Sequence, residues 1–355
     1  MPAPEELLLP PAARLVHIGP HKTGTTAVQG AFHLARDRLA SEYGVHYAGK
    51  LPQPGRAAMA VTGQPTLIGE KPPQPSDWAD LVAEVAAAGG RRVVISSEFF
   101  AEADDAAARR VVEELGGRSA HVVVTLRPLA KILPSQWQQT VQNGLRTPYD
   151  DWLAARFNTP DGSPSTRKFW QRHHHGRLVR RWAEVAGAER VTVIVADERD
   201  PQSLLRTFES MVGLPPKALE TQPDRANRSL TLAEAEIIRR LNLRFRALEW
   251  PEQVYAKHLR RGAITWMKTE RQPSTDEPRI ATPTWALKRA AELGAEFAET
   301  IASLGVRVVG DLSWLSRPPE DEATAETTGD ALLPAADAAA EAVIGAIAAT
   351  GDPDP

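Results

Sequence analysis

The sequence predicts an α/β fold: a three-layer sandwich with a central parallel sheet and helical additions in the C-terminal half. Three observations carry that expectation. Short apolar runs of strand character recur at residues 15–18, 92–96, 120–126 and 190–196. Segments of helical composition separate them, and strands alternating with helices build parallel sheets covered on both faces. Polar, chemically capable residues stand directly after three of the runs, at 19–26, 96–98 and 127–135. Open parallel sheets hold ligands at the carboxyl ends of their strands.

The elements follow in order. Residues 1–13 are Pro-rich and read as a loose arm. The run 15–18 is a buried strand, Gly19-Pro20-His21-Lys22-Thr23-Gly24 is a turn, and Thr25-Thr26 open a helix reaching to about residue 39. A strand, a Gly-bounded loop and a helix N-terminus form an anion cradle. The first-turn N–H groups lack intrahelical partners, and the helix dipole favours negative charge there. Residues 48–77 are rich in Pro and Gly and read as one long loop, with a short helix at 78–88 after it. Further helices are expected at 101–115, 131–143 (closed by Gly144), 149–157, 168–185 and 201–212. Beyond Gly213 the chain turns helical. Thr231 and Glu234 open a helix at 230–248 as a capping pair, 262–283 is an irregular connection, 283–304 is a helix, and 307–311 is a last edge strand. A disordered acidic linker at 317–330 and an Ala-rich helix within 331–355 close the chain, outside one α/β domain spanning 14–316.

Composition narrows the chemistry. Of 355 residues, 42% are apolar and 25% charged, the balance of a soluble globular protein. With no cysteine, disulfides, thiolate metal sites, iron–sulfur clusters and a cysteine nucleophile are excluded. No leader pattern and no apolar run near the ~20 residues of a membrane span is seen, so a cytoplasmic protein without a membrane span is expected. Residues 318–355 hold nine acids and no Lys or Arg, so the body of the chain is mildly basic although the net charge is −3. That balance suits a small anionic ligand and not a nucleic acid.

The loop 19–26 resembles the nucleotide P-loop, G-x-x-x-x-G-K-[ST], in its glycines, Gly19 and Gly24, but not in its cation. Thr25 stands where a kinase or ATPase places its lysine, and Lys22 lies inside the loop instead. The expectation is therefore a P-loop-type anion site with a displaced lysine. Lys22-Thr23-Gly24-Thr25-Thr26 after a strand resembles the 5′-phosphosulfate loop of sulfotransferases that use 3′-phosphoadenosine 5′-phosphosulfate (PAPS). Arg127 at a strand end, with Ser135 eight residues on, resembles that family's 3′-phosphate motif. The family shows Arg-Asn-Pro there, whereas this chain has Arg127-Pro128, and Pro134 just before Ser135 suits only a first helical turn. Arg260-Arg261-Gly262, ahead of Trp266, resembles the Arg-Lys-Gly element that binds the same phosphate; a basic helix end is the other reading. Residues 193–214, with Asp197-Glu198 and Gly213-Leu214, are similar to a scaffold segment of the same proteins.

Over residues 14–216, and more loosely to 315, the chain resembles the bacterial branch of the PAPS-dependent sulfotransferases. The resemblance implies PAPS as sulfuryl donor, a hydroxyl on a sugar, glycolipid or small metabolite as acceptor, and no metal. It implies donor binding by His21, Lys22, Thr23, Gly24, Thr25, Thr26, Arg127, Ser135, Arg260, Arg261 and Gly262. Lys22 would stabilise charge on the bridging oxygen, and Glu98 would take the acceptor's proton, as a carboxylate at a strand end is able to do. Glu98 is otherwise a helix cap. His21 either reaches the sulfate or faces solvent. Trp137, Gln138 and Gln139 line the acceptor side, or, for Trp137, the core. Asn227 and Ser229 either touch the ligand or, on the favoured reading, belong to a turn and helix cap. Consecutive His173-His174-His175 diverge around a helix, whereas ligands pair at i and i+4, so they read as partly exposed helix surface near the cleft. Acceptor selectivity is expected in 48–77 and 145–175. Two other classes stay open: a P-loop small-molecule kinase, which needs a lysine after Gly24 and a magnesium-binding Asp, and a non-catalytic nucleotide-binding partner module. Oligomeric state is open.

Overall fold

The computed structural model describes residues 4–65, 71–197, 199–221, 228–317, 333–348 and 350. In chain order the first elements are α1 (Pro4–Leu7), β1 (Arg14–His17), α2 (Thr25–Glu42), β2 (Val45–Tyr47), α3 (Gly55–Val61), α4 (Pro75–Ala87), β3 (Arg92–Ser96) and α5 (Asp105–Leu115). Then come β4 (Ala120–Leu126), α6 (Leu129–Gln142), α7 (Tyr149–Asn158), α8 (Pro164–His173), α9 (His175–Ala186), β5 (Val191–Val195) and α10 (Ser203–Val212). The remainder is α11 (Leu232–Ala247), α12 (Glu252–Val254) running into a π-helix (Tyr255–Ile264), α13 (Thr265–Glu270), α14 (Thr284–Ser303), β6 (Arg307–Val309) and α15 (Leu333–Ala348).

Six parallel strands form one sheet in the order β2-β3-β1-β4-β5-β6. Its strands are near-continuous Val/Ile/Leu runs because helices cover both faces, and parallel strands without such cover would expose apolar surface. Alternate residues point to opposite layers. Leu15, Val94, Val123 and Ile194 pack with Phe32 of α2 and Phe208 and Met211 of α10. Val16, Ile95, Val122 and Val193 pack with Trp78 of α4, Val111 of α5 and Trp182 of α9. A separate helical core, with Leu133, Trp137, Trp152, Ile238, Phe297 and Ile344, joins α6, α7, α11, α14 and α15. The three-layer sandwich with C-terminal helical additions is therefore the observed fold. Among the described residues no helix is long and apolar enough to cross a membrane.

Several local expectations change. The N-terminal arm is fastened: Leu7 and Leu9 are buried, the Leu9 N–H donates to the Met211 carbonyl at 2.9 Å, and Arg92 Nε donates to the Leu9 carbonyl at 3.0 Å. Residues 45–47 form an edge strand, too short to show a period. The expected long loop at 48–77 contains α3, and α4 begins early, at Pro75, with a reciprocal Gln74–Asp77 capping box. The single helix expected at 168–185 is two, divided at His174, whose ψ of 81° leaves the helical region. Residues 255–270 are helical, so the irregular connection is confined to 271–283. Pro134 lies at the sixth position of α6, past the first turn. The capping box of Thr231 and Glu234 is present as expected. The acidic linker lies outside the described residues.

Candidate functional site

Sheet order places β3, β1 and β4 side by side with β1 in the middle. The three segments leaving their carboxyl ends are 97–98, 19–26 and Arg127. Residues from 29 to 108 positions apart in sequence thus share one sheet edge.

Close approach of two of these segments requires Gly19. Its φ is +79°, and a Cβ there would lie 3.0 Å from both Cα and Cβ of Glu98. Gly24, at φ +94°, is the N-cap of α2, and no side chain caps that helix. The first-turn N–H groups, those of Thr25 and Thr26 among them, consequently face the loop without a side-chain cap. Thr25 is buried and Thr26 is exposed. Lys22 adopts a left-handed φ of +68°, a conformation that costs a non-Gly residue about 1–2 kcal/mol. Its Nζ donates to Gln139 Oε1 of α6 at 2.9 Å. Burial, reinforced by the charge of Lys268 and opposed by that of Glu98, lowers its pKa to about 8.

The Glu98 carboxylate accepts from Gln29 Nε2 of α2 at 2.8 Å and from Gln53 Nε2 at 3.3 Å. Both partners are neutral amides, so they orient the carboxylate without neutralising it. Capping falls to other residues: the hydroxyl of Ser97 accepts from the Phe99 N–H, and Asp104 caps α5. Ser97 also donates to Gln53 Oε1 at 3.0 Å, which fixes the amide that faces Glu98.

Two of the other expected ligands, His21 and Thr23, have internal side-chain partners. His21 Nε2 is 3.2 Å from Glu102 Oε1, and the ring packs edge-on against Phe99. Burial and then the charge of Arg172 lower its pKa, so the imidazole stays neutral and donates a hydrogen bond. Glu102, fully buried, also receives Lys168 Nζ at 2.9 Å and Arg172 of α8. The Thr23 hydroxyl turns inward, donating to the Pro20 carbonyl at 2.6 Å and meeting Thr125 Oγ1 at 2.8 Å. Only the Thr23 backbone is left to the loop. Arg127, half-buried, leaves β4 at the shared edge, and Ser135 sits half-buried on the second turn of α6.

The triplet at 260–262 divides. Arg260 and Lys268 line a depression of about 180 Å³ together with Gln139, the partner of Lys22. Arg261 is exposed and donates to the Ala256 carbonyl, and Gly262 is part of the π-helix. Gln138 is buried and accepts the Leu230 N–H at 2.8 Å, and Trp137 is core, so of 137–139 only Gln139 reaches the loop. Ser229 is exposed, the cap being Thr231; Asn227 and Glu198 lie outside the described residues.

His173 and His175 are fully buried rather than surface groups, and burial pushes both pKa values down, that of His175 to about 3. Among the described residues no three His, Asp or Glu side chains are grouped to hold a metal ion.

Sequence reasoning missed a buried polar row beneath the loop. Ser96, His17 and Thr125 occupy one face of β3, β1 and β4. His17 Nδ1 is 2.8 Å from Ser96 Oγ, and its Nε2 is 3.1 Å from Thr125 Oγ1, which continues to Thr23. Burial lowers the His17 pKa to about 3, so a neutral ring links the hydroxyls. The available signal was a polar residue at or next to the carboxyl end of each of three mainly apolar strands: His17, Ser96 and Thr125.

No protein-family model matches the chain, and no curated protein sequence does. In fold it is similar to a sulfotransferase from Alicyclobacillus acidocaldarius known from its crystal structure, over 86% of this chain and 99% of that one, with a TM-score of 0.51 at 15% identity. At that identity the likeness speaks for the fold.

Proposed function

We propose that the protein transfers a sulfuryl group from PAPS to an acceptor hydroxyl, leaving adenosine 3′,5′-bisphosphate. The observation that carries this reading is the convergence of Lys22 and Glu98 from adjacent strand ends, with Gly19 allowing the loop to touch the Glu98 backbone. The loop glycines leave room for a 5′-phosphosulfate, and the N–H groups of Thr25 and Thr26 supply donors for it. Arg127 and Ser135 hold the 3′-phosphate; a guanidinium grips phosphate in a bidentate manner. Arg260 adds charge beside Gln139, while Arg261 turns away.

In the transfer, the acceptor oxygen forms a bond to sulfur as the bond from sulfur to the bridging oxygen breaks, and that electron pair stays on the 5′-phosphate. Glu98 takes the acceptor proton, its carboxylate aimed by Gln29 and Gln53. Lys22 meets the charge growing on the bridging oxygen, an electrostatic contribution of about 3–4 kcal/mol in comparable sites. The acceptor is a small molecule or carbohydrate, with its selectivity residing in residues 48–77 and 145–175. A kinase reading lacks its lysine, since Thr25 follows Gly24.

Calorimetric titration tests the reading. Adenosine 3′,5′-bisphosphate is expected to bind more tightly than magnesium ATP, and Arg127→Ala to weaken it at least ~10-fold, the loss of one charge-assisted phosphate contact. Preference for magnesium ATP, or binding of neither, overturns it in favour of a kinase or a non-catalytic module.

A further inference from the structure

A second cavity, of about 500 Å³, opens among α7, α8, α9 and α14. That size falls within the range of small-ligand sites. Five guanidinium groups line it, from Arg156, Arg167, Arg177, Arg181 and Arg289, against the carboxylates of Asp161 and Glu296. Aromatic surface from Phe157 and Trp170 forms part of the wall. α8 separates this cavity from the loop: Lys168 and Arg172 reach Glu102, while Arg167 and Trp170 belong to the cavity.

Arg156 is what an ordinary charged surface does not explain. It is 94% buried by its 6% exposure, its guanidinium lies 4.1 Å over the Trp152 ring, and its Nε has no hydrogen-bond partner. Its one side-chain bond is a 3.4 Å contact from Nη1 to the Trp152 carbonyl. Burial alone lowers its pKa to about 10. A buried cation is ordinarily paired, because leaving it uncompensated is costly. Arg181 and Arg289 have acidic partners in Asp105 and Glu292, and Arg167 donates to the Asp161 carbonyl. Among the described residues neither Arg156 nor Arg177 has a carboxylate partner.

We propose that this cavity is a second anion site, distinct from the loop, for a small molecule carrying two or more oxyanion groups, either a polyphosphate or a polycarboxylate. Arg156 grips one oxyanion at the bottom, Arg167 and Arg177 hold another at the rim, and Phe157 and Trp170 flank the ligand's frame. Guanidinium groups suit phosphate and carboxylate alike, which is why the two sources share a site.

The test is calorimetry on the full chain with inorganic pyrophosphate and, separately, citrate, in a Lys22→Ala background that weakens the loop. One binding event is expected to persist, to weaken at least ~10-fold in Arg156→Gln, and to fall steeply with added salt. Because Arg156 packs on Trp152, the double variant Arg167→Gln/Arg177→Gln, at exposed positions, serves as the second probe, with a similar loss expected. Tighter pyrophosphate assigns the site to phosphates, and tighter citrate to carboxylates. No event in the Lys22→Ala protein, or one indifferent to both sets of arginine variants, overturns the proposal. Because the readout omits PAPS and turnover, failure here is separable from failure of the sulfuryl-transfer reading.

Discussion

Replacing Glu102 with Gln removes the one buried carboxylate that His21, Lys168 and Arg172 share. Burial by itself would raise the Glu102 pKa. The hydrogen bond from His21 and the charges of Arg172 and Lys168 outweigh burial and hold it at about 2, against an ordinary 4.5. A displacement of that size is worth roughly 3 kcal/mol at ~1.36 kcal/mol per pH unit. The side chains of Lys168 and Arg172 keep 35% and 16% of their exposure, so water recovers part of that, and about 2–3 kcal/mol of lost stability at pH 7 is expected. The sign follows from the depressed folded-state pKa. The Glu102 contribution is fully present above 4.5 and is lost as pH falls through 4.5 towards 2. Urea unfolding of Glu102→Gln and of the parent at pH 7, 4 and 3 measures it. The gap between the two should be widest at pH 7 and close on acidification. A gap under ~1 kcal/mol at pH 7, or one unchanged down to pH 3, refutes the assignment of Glu102 as the charge hub.

The remaining predictions concern Lys22 and the polar row beneath the loop. With its pKa lowered to about 8, Lys22 loses its ammonium as pH rises through 8, so sulfuryl-transfer kcat/KM should fall along an alkaline limb there. Lys22→Arg should push that limb beyond pH 10, and a profile flat to pH 10 in the parent argues against a cationic role. Lys22→Ala should lower kcat by about 10²–10³. Thr125→Val leaves His17 Nε2 and the Thr23 hydroxyl each short of one partner, so a loss of about 1–3 kcal/mol in stability is expected. Adenosine 3′,5′-bisphosphate should also bind more weakly, though Thr125 lies beneath the loop; a stability loss with unchanged binding would make the polar row a structural device only.

Much of the architecture was legible because it depends on local pattern. Val- and Ile-rich runs mark buried parallel strands, and glycines with a lysine after the first of them mark the loop. Sheet rules then carry Gly19, Glu98 and Arg127 to one edge without reference to any side-chain contact. What stayed illegible depends on partners distant in sequence. Glu102 looks like one more acid near a helix start, and only the docking of α8 makes it a buried hub. His17 reads as an odd residue in a strand until Ser96 and Thr125 arrive beside it. The break at His174 is unmarked in the sequence because residues 171–177 hold no apolar side chain and no proline to signal it; the His174 side chain receives the Arg177 N–H and starts a new helix. α3 was hidden by the Pro and Gly around it, since seven residues give too few turns for a periodic signal.

The hydrogen bonds beneath the loop also set an order of events during synthesis. The loop is contiguous, yet the Gly19 carbonyl accepts the Thr125 N–H at 2.9 Å and Thr23 meets Thr125 across 102 residues of chain. A ribosome-bound chain that has not yet delivered β4 lacks both contacts, so residues 19–26 stay pliable although fully emerged. Affinity for anions should therefore switch on with the length of the nascent chain, after residue 126 clears the exit tunnel. Long-range pairing of this kind closes late because the intervening chain must first be ordered.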